Sequence, residues 1–364
     1  MKYSSTIIVI IILLFGYTYF NNKLTKYQKV LTNEIKEVAP KKIYLIKNED
    51  YDFNIDLNNI DINEKNIKWY SNNKKILKVE NNNTLIGLKK GKTKIYTYIL
   101  NKKYEVEVEI TNLLLSQKDE YNINKKFLEC NMYNKEENDL IDKILENKIN
   151  NAGYKTRAGV VEAARFLTLN LPYKINYFYE NGRGTTFGIQ ENVQGEGRYY
   201  NKGLFLDESR FENIIYKKNG PATWGCNLYS NVIKEEQKNG LDCSGFISWA
   251  MIQAGFDPGD IGAGITDVYD YTDTGEKTNL TDEVINKDII KTGDLLHSNR
   301  AGGHIAIIVG MDEYNYYVAE AIWYEPNGVV INTYSKENIK NNFNYVILMD
   351  SFYKNDGKYS ELWY

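Results

Sequence analysis

Leu241-Asp242-Cys243-Ser244-Gly245-Phe246-Ile247-Ser248-Trp249-Ala250-Met251 decides how the rest of the chain is read. From Cys243 onward the spacing predicts a helix that turns Phe246, Ile247, Ala250, Met251 and Ala254 inward and stops at Gly255. Cys243 then lies in the first turn. Unpaired N–H groups and the positive end of the helix dipole favour a thiolate there, and the same N–H groups can hold an oxyanion. A thiol at a helix start can equally be an inert packed residue, so the reading needs a partner.

The partner comes from Gly303-His304-Ile305-Ala306-Ile307-Ile308-Val309-Gly310, an apolar, β-branched run that predicts a strand opening on His304. Tyr316-Tyr317-Val318-Ala319-Glu320-Ala321 predicts the next strand, joined by a hairpin connection at Met311 to Asn315. If Ile308 pairs with Tyr316, His304 pairs with Glu320 and both side chains leave one face. A carboxylate beside an imidazole fixes its tautomer and stabilises the imidazolium. Cys243, His304 and Glu320 thus form a candidate catalytic set of nucleophile, base and orienting group. The second histidine, His297, has no comparable partner in the sequence and reads as structural or surface.

Three motifs in order resemble the NlpC-type cell-wall peptidases, members of the papain-like thiol hydrolases. They are Asp242-Cys243-Ser244-Gly245-Phe246, Gly293-Asp294-Leu295-Leu296, and His304 to Gly310. The resemblance covers about residues 155 to 350. It implies an α+β fold, with the Cys helix packed on an antiparallel sheet carrying the His. It also implies hydrolysis of peptidoglycan stem peptides, with Cys243 as nucleophile and His304 as base. Relatives often carry His as the third residue, where Glu320 stands here. They also carry a Tyr near the active site ahead of the Cys motif. Tyr177 in Tyr177-Phe178-Tyr179 is the better match for it, as a substrate or oxyanion contact, and Trp224-Gly225-Cys226 is a partial one. The stretch 181–239 is longer than the usual connection and reads as a groove border or a surface insertion.

Upstream, residues 41–112 predict about seven short strands and a β-sandwich, with Trp69 in its core. Tyr104, Val106, Val108 and Ile110 alternate with Glu105, Glu107 and Glu109. The segment Ile67 to Asn72, then Val79-Glu80, then Leu85 to Thr93, resembles the bacterial Ig-like domains of surface proteins, which implies a spacer or adhesive module. Residues 113–134 read as linker. From Lys135, apolar spacing at Leu140, Ile141, Ile144, Leu145 and Ile149 predicts one helix, and Val160 to Leu167 a second that ends before Pro172. The domain that begins at 135 is expected to run to 364.

Residues 4–20 lie in a stretch of 18 residues without charge counted from Tyr3, at the short end of what spans a bilayer, and predict an uncleaved transmembrane anchor; a cleaved signal is the alternative. Lys23, Lys26 and Lys29 follow the span, and counting lysines alone would keep the body in the cytoplasm. The chemistry of the C-terminal part points to the extracellular, cell-wall side instead, and that is the expected location.

Composition narrows the rest. The chain has 364 residues, 43% hydrophobic and 26% charged, enough for real cores. A net charge of −3 gives no global attraction to nucleic acid. Two histidines exclude a His-rich metal site, and no metal or cofactor is expected. Three cysteines argue against a disulfide framework, so Cys130 and Cys226 are expected to be bystander thiols. The expected partners are peptidoglycan stem peptides and, through the N-terminal helix, the membrane. The expected activity is that of a cell-wall cysteine endopeptidase. An N-acetylmuramoyl-L-alanine amidase, a non-catalytic adhesin or scaffold, and a cytoplasmic acyltransferase with the same dyad are the alternatives.

Overall fold

A computed structural model describes residues 40–53, 55, 67–99, 102–112, 125–178, 224–230, 235–256, 258, 275–287, 289–299 and 303–358. The expected anchor at 4–20 and most of the stretch 181–239 lie outside the described residues. Among the described residues no helix is long and apolar enough to cross a membrane.

The N-terminal part holds seven strands among the described residues: β1 (Lys42–Ile46), β2 (Asp50–Asp52), β3 (Tyr70–Ser71), β4 (Leu77–Glu80), β5 (Thr84–Gly87), β6 (Gly91–Ile99) and β7 (Lys102–Thr111). They form two sheets, ordered β1-β7-β6-β3 and β2-β5-β4. The strands of each neighbouring pair are antiparallel except β1 and β7, which run parallel. The alternation in β7 has the predicted effect. Val106, Val108 and Ile110 enter a core shared by both sheets, together with Ile95, Leu77, Leu85 and Trp69, while Glu105 and Glu107 face water. Trp69 meets Phe53 edge to face, with ring centroids 4.9 Å apart. Asn81 and Asn82 take the left-handed backbone conformation between β4 and β5, as their side chains tolerate.

Two helices follow, α1 (Lys135–Ala152) and α2 (Arg157–Arg165), and a π-helical turn (Phe166–Asn170) continues α2. Asn134 and Glu137 close a reciprocal capping box at the start of α1. Of the predicted apolar face of α1, Ile141, Ile144, Leu145 and Ile149 are buried and Leu140 is half-buried. The same buried face ties the helix to the β-sheet part: Lys148 Nζ lies 2.5 Å from Glu49 Oε1, and Asn170, in the π-helical turn, also donates to that oxygen. Then come a hairpin, β8 (Asn227–Ser230) and β9 (Glu235–Lys238), and helix α3 (Cys243–Gln253). The remaining elements are β10 (Glu276–Asn279), α4 (Asp282–Asn286), β11 (Leu295–Ser298), β12 (His304–Met311), β13 (Asn315–Ile322), β14 (Gly328–Ser335), β15 (Tyr345–Leu348) and α5 (Asp350–Tyr353).

These strands make an antiparallel six-stranded sheet, β10-β15-β11-β12-β13-β14. Its two faces divide by parity. Ile305, Ile307 and Val309 join the core that contains α1, α2 and α3, whereas Ala306 and Ile308 join a second core with Ile285 of α4, Ile339 and Phe343. Helix α3 is apolar nearly all round because it lies inside this assembly.

Two expectations need correcting. Residues 125–134 are not linker. Lys125 donates to the Thr168 and Leu171 carbonyls at 2.7 and 2.8 Å, Leu128 enters the main core, and Phe127 bridges Lys174. An apolar Leu and a buried ammonium with two acceptors bind this stretch to the C-terminal part. Cys130 and Cys226 are not bystander thiols either: they form a disulfide that spans 96 residues. An odd cysteine count excludes only a fully paired set, and one bridge leaves Cys243 as the free thiol.

Candidate active site

Asp242 caps helix α3. Its Oδ1 accepts from the Gly245 N–H at 2.6 Å and from the Ser244 hydroxyl at 3.2 Å. This fixes Cys243 as the first helical residue, where a backbone N–H has no intrahelical acceptor. The strand-like segment 174–178 runs beside the approach to the helix. Asn176 bridges Gly240, and the Leu241 N–H donates to the Asn176 carbonyl at 3.0 Å. A Cβ on Gly240 would sit 1.8 Å from that carbonyl oxygen, so only glycine permits the approach. Tyr177 is therefore placed alongside Leu241 and packs, half-buried, on the core to which Cys243 belongs.

His304 and Glu320 meet directly: His304 Nε2 lies 2.6 Å from Glu320 Oε2. The other nitrogen, Nδ1, is left for the thiol, and Cys243 is a hydrogen-bond partner of the ring. Phe343 stacks on the imidazole at 6.0 Å between centroids. The three predicted residues are thus brought together from a helix start and two strands. Cys243 arrives from the helical face. His304 and Glu320 alternate onto the other face, and His304 reaches the thiol because it is the first residue of its strand.

The electrostatics follow from burial opposed by partners. Burial lowers the affinity of the His304 ring for its proton, but hydrogen bonds to Cys243 and Glu320 and their charges outweigh it, and the ring is pushed up to about 10. Near neutral pH it is imidazolium, the form that pairs with a thiolate. Glu320 is 1% exposed. Burial alone would raise its pKa; His304, Asn332 and Tyr334 reverse this and hold it below the ordinary carboxylate range. Its Oε1 accepts from Asn332 Nδ2 and the Tyr334 hydroxyl, each at 2.7 Å. The carboxylate stays ionised, with both oxygens occupied.

The predicted pairing of His304 with Glu320 does not occur. Ile307 pairs with Ala319 and Ile308 with Val318, and a bulge at Val309 shifts the register before Gly310 pairs with Tyr317. Continuing the first register puts Ala306 opposite Glu320 and Ile322 opposite His304. The offset is two residues, so Glu320 keeps the face of His304 and meets it diagonally. Gly310 inside a strand pattern was the signal for the bulge. Arg165, 3% exposed, seals it: Nε donates to the Val309 carbonyl at 2.8 Å, and Nη2 donates to the same oxygen. A charged residue in the apolar run Val160–Leu167 was the corresponding sequence signal. Asn332 and Tyr334 were missed as well; they alternate along β14 after Val329–Ile331.

Two other motif residues have structural places. Asp294 is buried and accepts from Arg157 at 2.7 Å and from the Met349 N–H at 2.9 Å, which ties α2 to the sheet. His297 is buried rather than on the surface and stacks on Tyr345 at 5.8 Å; burial, then Lys277 and His304, push it down to about 4. Among the described residues no group of His, Cys, Asp and Glu is arranged to hold a metal ion.

Residues 222–360 match the family model of bacteriophage peptidoglycan hydrolases. That range contains Cys243, His304 and Glu320, and the match supports a cell-wall hydrolase, acting on peptidoglycan, for this part of the chain. No curated protein matches the chain.

Proposed function

We propose that the chain is a membrane-anchored cysteine endopeptidase that cuts amide bonds in peptidoglycan stem peptides, with Cys243 as nucleophile, His304 as base and Glu320 as the group that orients it. The observation that carries this reading is the Nε2–Oε2 contact of 2.6 Å, with Cys243 as the other partner of the same ring, inside a segment that matches peptidoglycan hydrolases.

In the proposed reaction the Cys243 thiolate, its proton held on His304 Nδ1, attacks the amide carbonyl. The C=O π pair moves onto oxygen, and the Cys243 N–H, with Tyr177 beside it, receives the oxyanion. When the tetrahedral species collapses, the C–N bond breaks and His304 gives its proton to the departing nitrogen. A water, deprotonated by His304, then attacks the thioester, and the thiolate leaves. Glu320 keeps Nε2 protonated throughout, so that Nδ1 is the nitrogen that exchanges the proton.

The N-terminal sheets fit a β-sandwich spacer of the bacterial Ig-like kind, and the helix-on-sheet part fits the papain-like architecture. The Cys130–Cys226 disulfide supports an oxidising, extracytoplasmic location, where the wall is and where the lysine count did not point. One feature favours a second reading, cleavage between sugar and peptide as by an amidase: the third residue is Glu, as in some related thiol hydrolases. Mass spectrometry of sacculi digested by the full-length chain tests both. New amine and carboxyl termini within stem peptides support the endopeptidase, lactyl carboxylates with free L-alanine amines support the amidase, and an unaltered sacculus refutes the hydrolase.

A further inference from the structure

We propose that Trp323 and Tyr324 form a glycan-facing subsite in which a pyranose ring of the substrate stacks beside the scissile amide. The proposal rests on the hydrolase reading for its ligand class and on the following observations for its place.

The two rings follow directly on the strand that carries Glu320. Strand β13 ends at Ile322, which comes opposite His304 when the register of Ile307 and Ile308 is continued, and Trp323 is the next residue along. Trp323 is 66% exposed and Tyr324 53%. The rings lean edge to face at 5.8 Å. Scattered exposed aromatics are ordinary on a protein surface; two neighbours beside a catalytic constellation are the pattern of a ligand site. Tyr324 is also close enough to Glu320 to feel its charge. Burial and that charge raise its phenol above the ordinary value, and the hydroxyl therefore stays a donor.

The platform is held in place. Ile322 pairs with Gly328 and closes a loop of five residues. Lys174 Nζ donates to the Pro326 carbonyl, and the Val329 N–H donates to the Ile175 carbonyl at 2.9 Å. Gly328 has φ +97°, and a Cβ there would sit 2.4 Å from the Ile175 oxygen. The loop thus rests on segment 174–178, the same segment that supports the approach to Cys243. Nucleophile and aromatic pair share one support, so a ligand on the rings is indexed to the thiol.

The chemistry selects a sugar over the peptide. Aromatic side chains offer a flat apolar body with a polar handle, which suits the C–H face and hydroxyl rim of a pyranose. Glu325 follows the pair, and the Lys174 ammonium, which donates to the Pro326 carbonyl, is near enough to feel and offset its charge. With the local charges balanced, the rings offer no net cation to the carboxylates of a stem peptide, whereas an N-acetylated sugar is neutral and needs none. The substrate is therefore a stem peptide still attached to its glycan.

Calorimetric binding to the full-length Cys243→Ala chain tests this without turnover. The ligands are a soluble disaccharide-pentapeptide and the same pentapeptide without sugar. The sugar-bearing ligand should bind at least about tenfold more tightly, and adding Trp323→Ala and Tyr324→Ala should remove that difference while the sugar-free affinity stays within about twofold. A thermal melt matching that of the Cys243→Ala parent controls for folding. Equal affinity for the two ligands in that parent, or a preference that survives the double substitution, overturns the subsite. Sugar-dependent binding in a wild-type chain that hydrolyses nothing would instead sink the hydrolase reading and leave the subsite standing.

Discussion

His304 Nε2 and Glu320 Oε2 lie 2.6 Å apart although the two residues are not cross-strand partners. Their contact is diagonal, two positions out of register, and the one-residue shift at the Val309 bulge is what puts both side chains on the same face. If this carboxylate orients the imidazole, Glu320→Gln keeps the shape and a hydrogen bond but removes the charge. A comparable change in a serine triad costs roughly 10⁴-fold. A thiol needs less help from its base, so we expect a loss on the order of 10- to 100-fold, in kcat more than in KM. Steady-state kinetics on soluble muropeptides reads it, and an unchanged kcat removes Glu320 from the mechanism.

Arg165 acts at one remove. Arg165→Met leaves the Val309 carbonyl without both of its guanidinium donors, which costs about 1–3 kcal/mol in a buried site. The bulge then loses its seal, and His304 and Glu320 lose their fixed offset. We expect a fall in kcat at nearly constant KM, partly rescued by Arg165→Lys, which restores one donor. Lost stability with a wild-type kcat would make Arg165 a purely structural residue.

The imidazolium of His304 should show in the pH dependence of stability. The ring titrates near 6.5 in an unfolded chain and is pushed up to about 10 in the fold. The folded state holds the proton more tightly, so the contribution is complete below about pH 6.5 and is lost as pH rises through about 10. Urea melts of wild type and His304→Gln at several pH values should show a stability gap that shrinks across that window. A gap that widens with pH contradicts the assignment.

The disulfide and the nucleophile should be separable. Cys130→Ala with Cys226→Ala removes a bridge closing a long loop and should cost about 4–5 kcal/mol by the chain-entropy argument. Cys243 should still take up one equivalent of a thiol-directed probe. Loss of labelling in a folded double variant would mean that the bridge shapes the site.

Much of the site was legible because its residues sit at the ends of strongly patterned elements. Cys243 follows a capping Asp242 and opens an apolar helix, and His304 opens a β-branched strand. Glu320 was reached through the right face but the wrong register. Parity survives a two-residue slip, and a bulge is visible in sequence only as Gly310. Long-range partners were not legible. Arg165 meets Val309 across 144 positions and Cys130 meets Cys226 across 96, and no local period encodes such distances. The stretch 125–134 looks like linker in sequence because its anchors, Lys125 and Leu128, belong to no periodic pattern.

The most direct test of the account is amide hydrolysis of purified peptidoglycan by the full-length chain, wild type against Cys243→Ala, with new amine termini counted over time and the thermal melt taken alongside. The account predicts steady release by the wild type and none above background from a Cys243→Ala chain of unchanged melting temperature. Release by Cys243→Ala at the wild-type rate would contradict it.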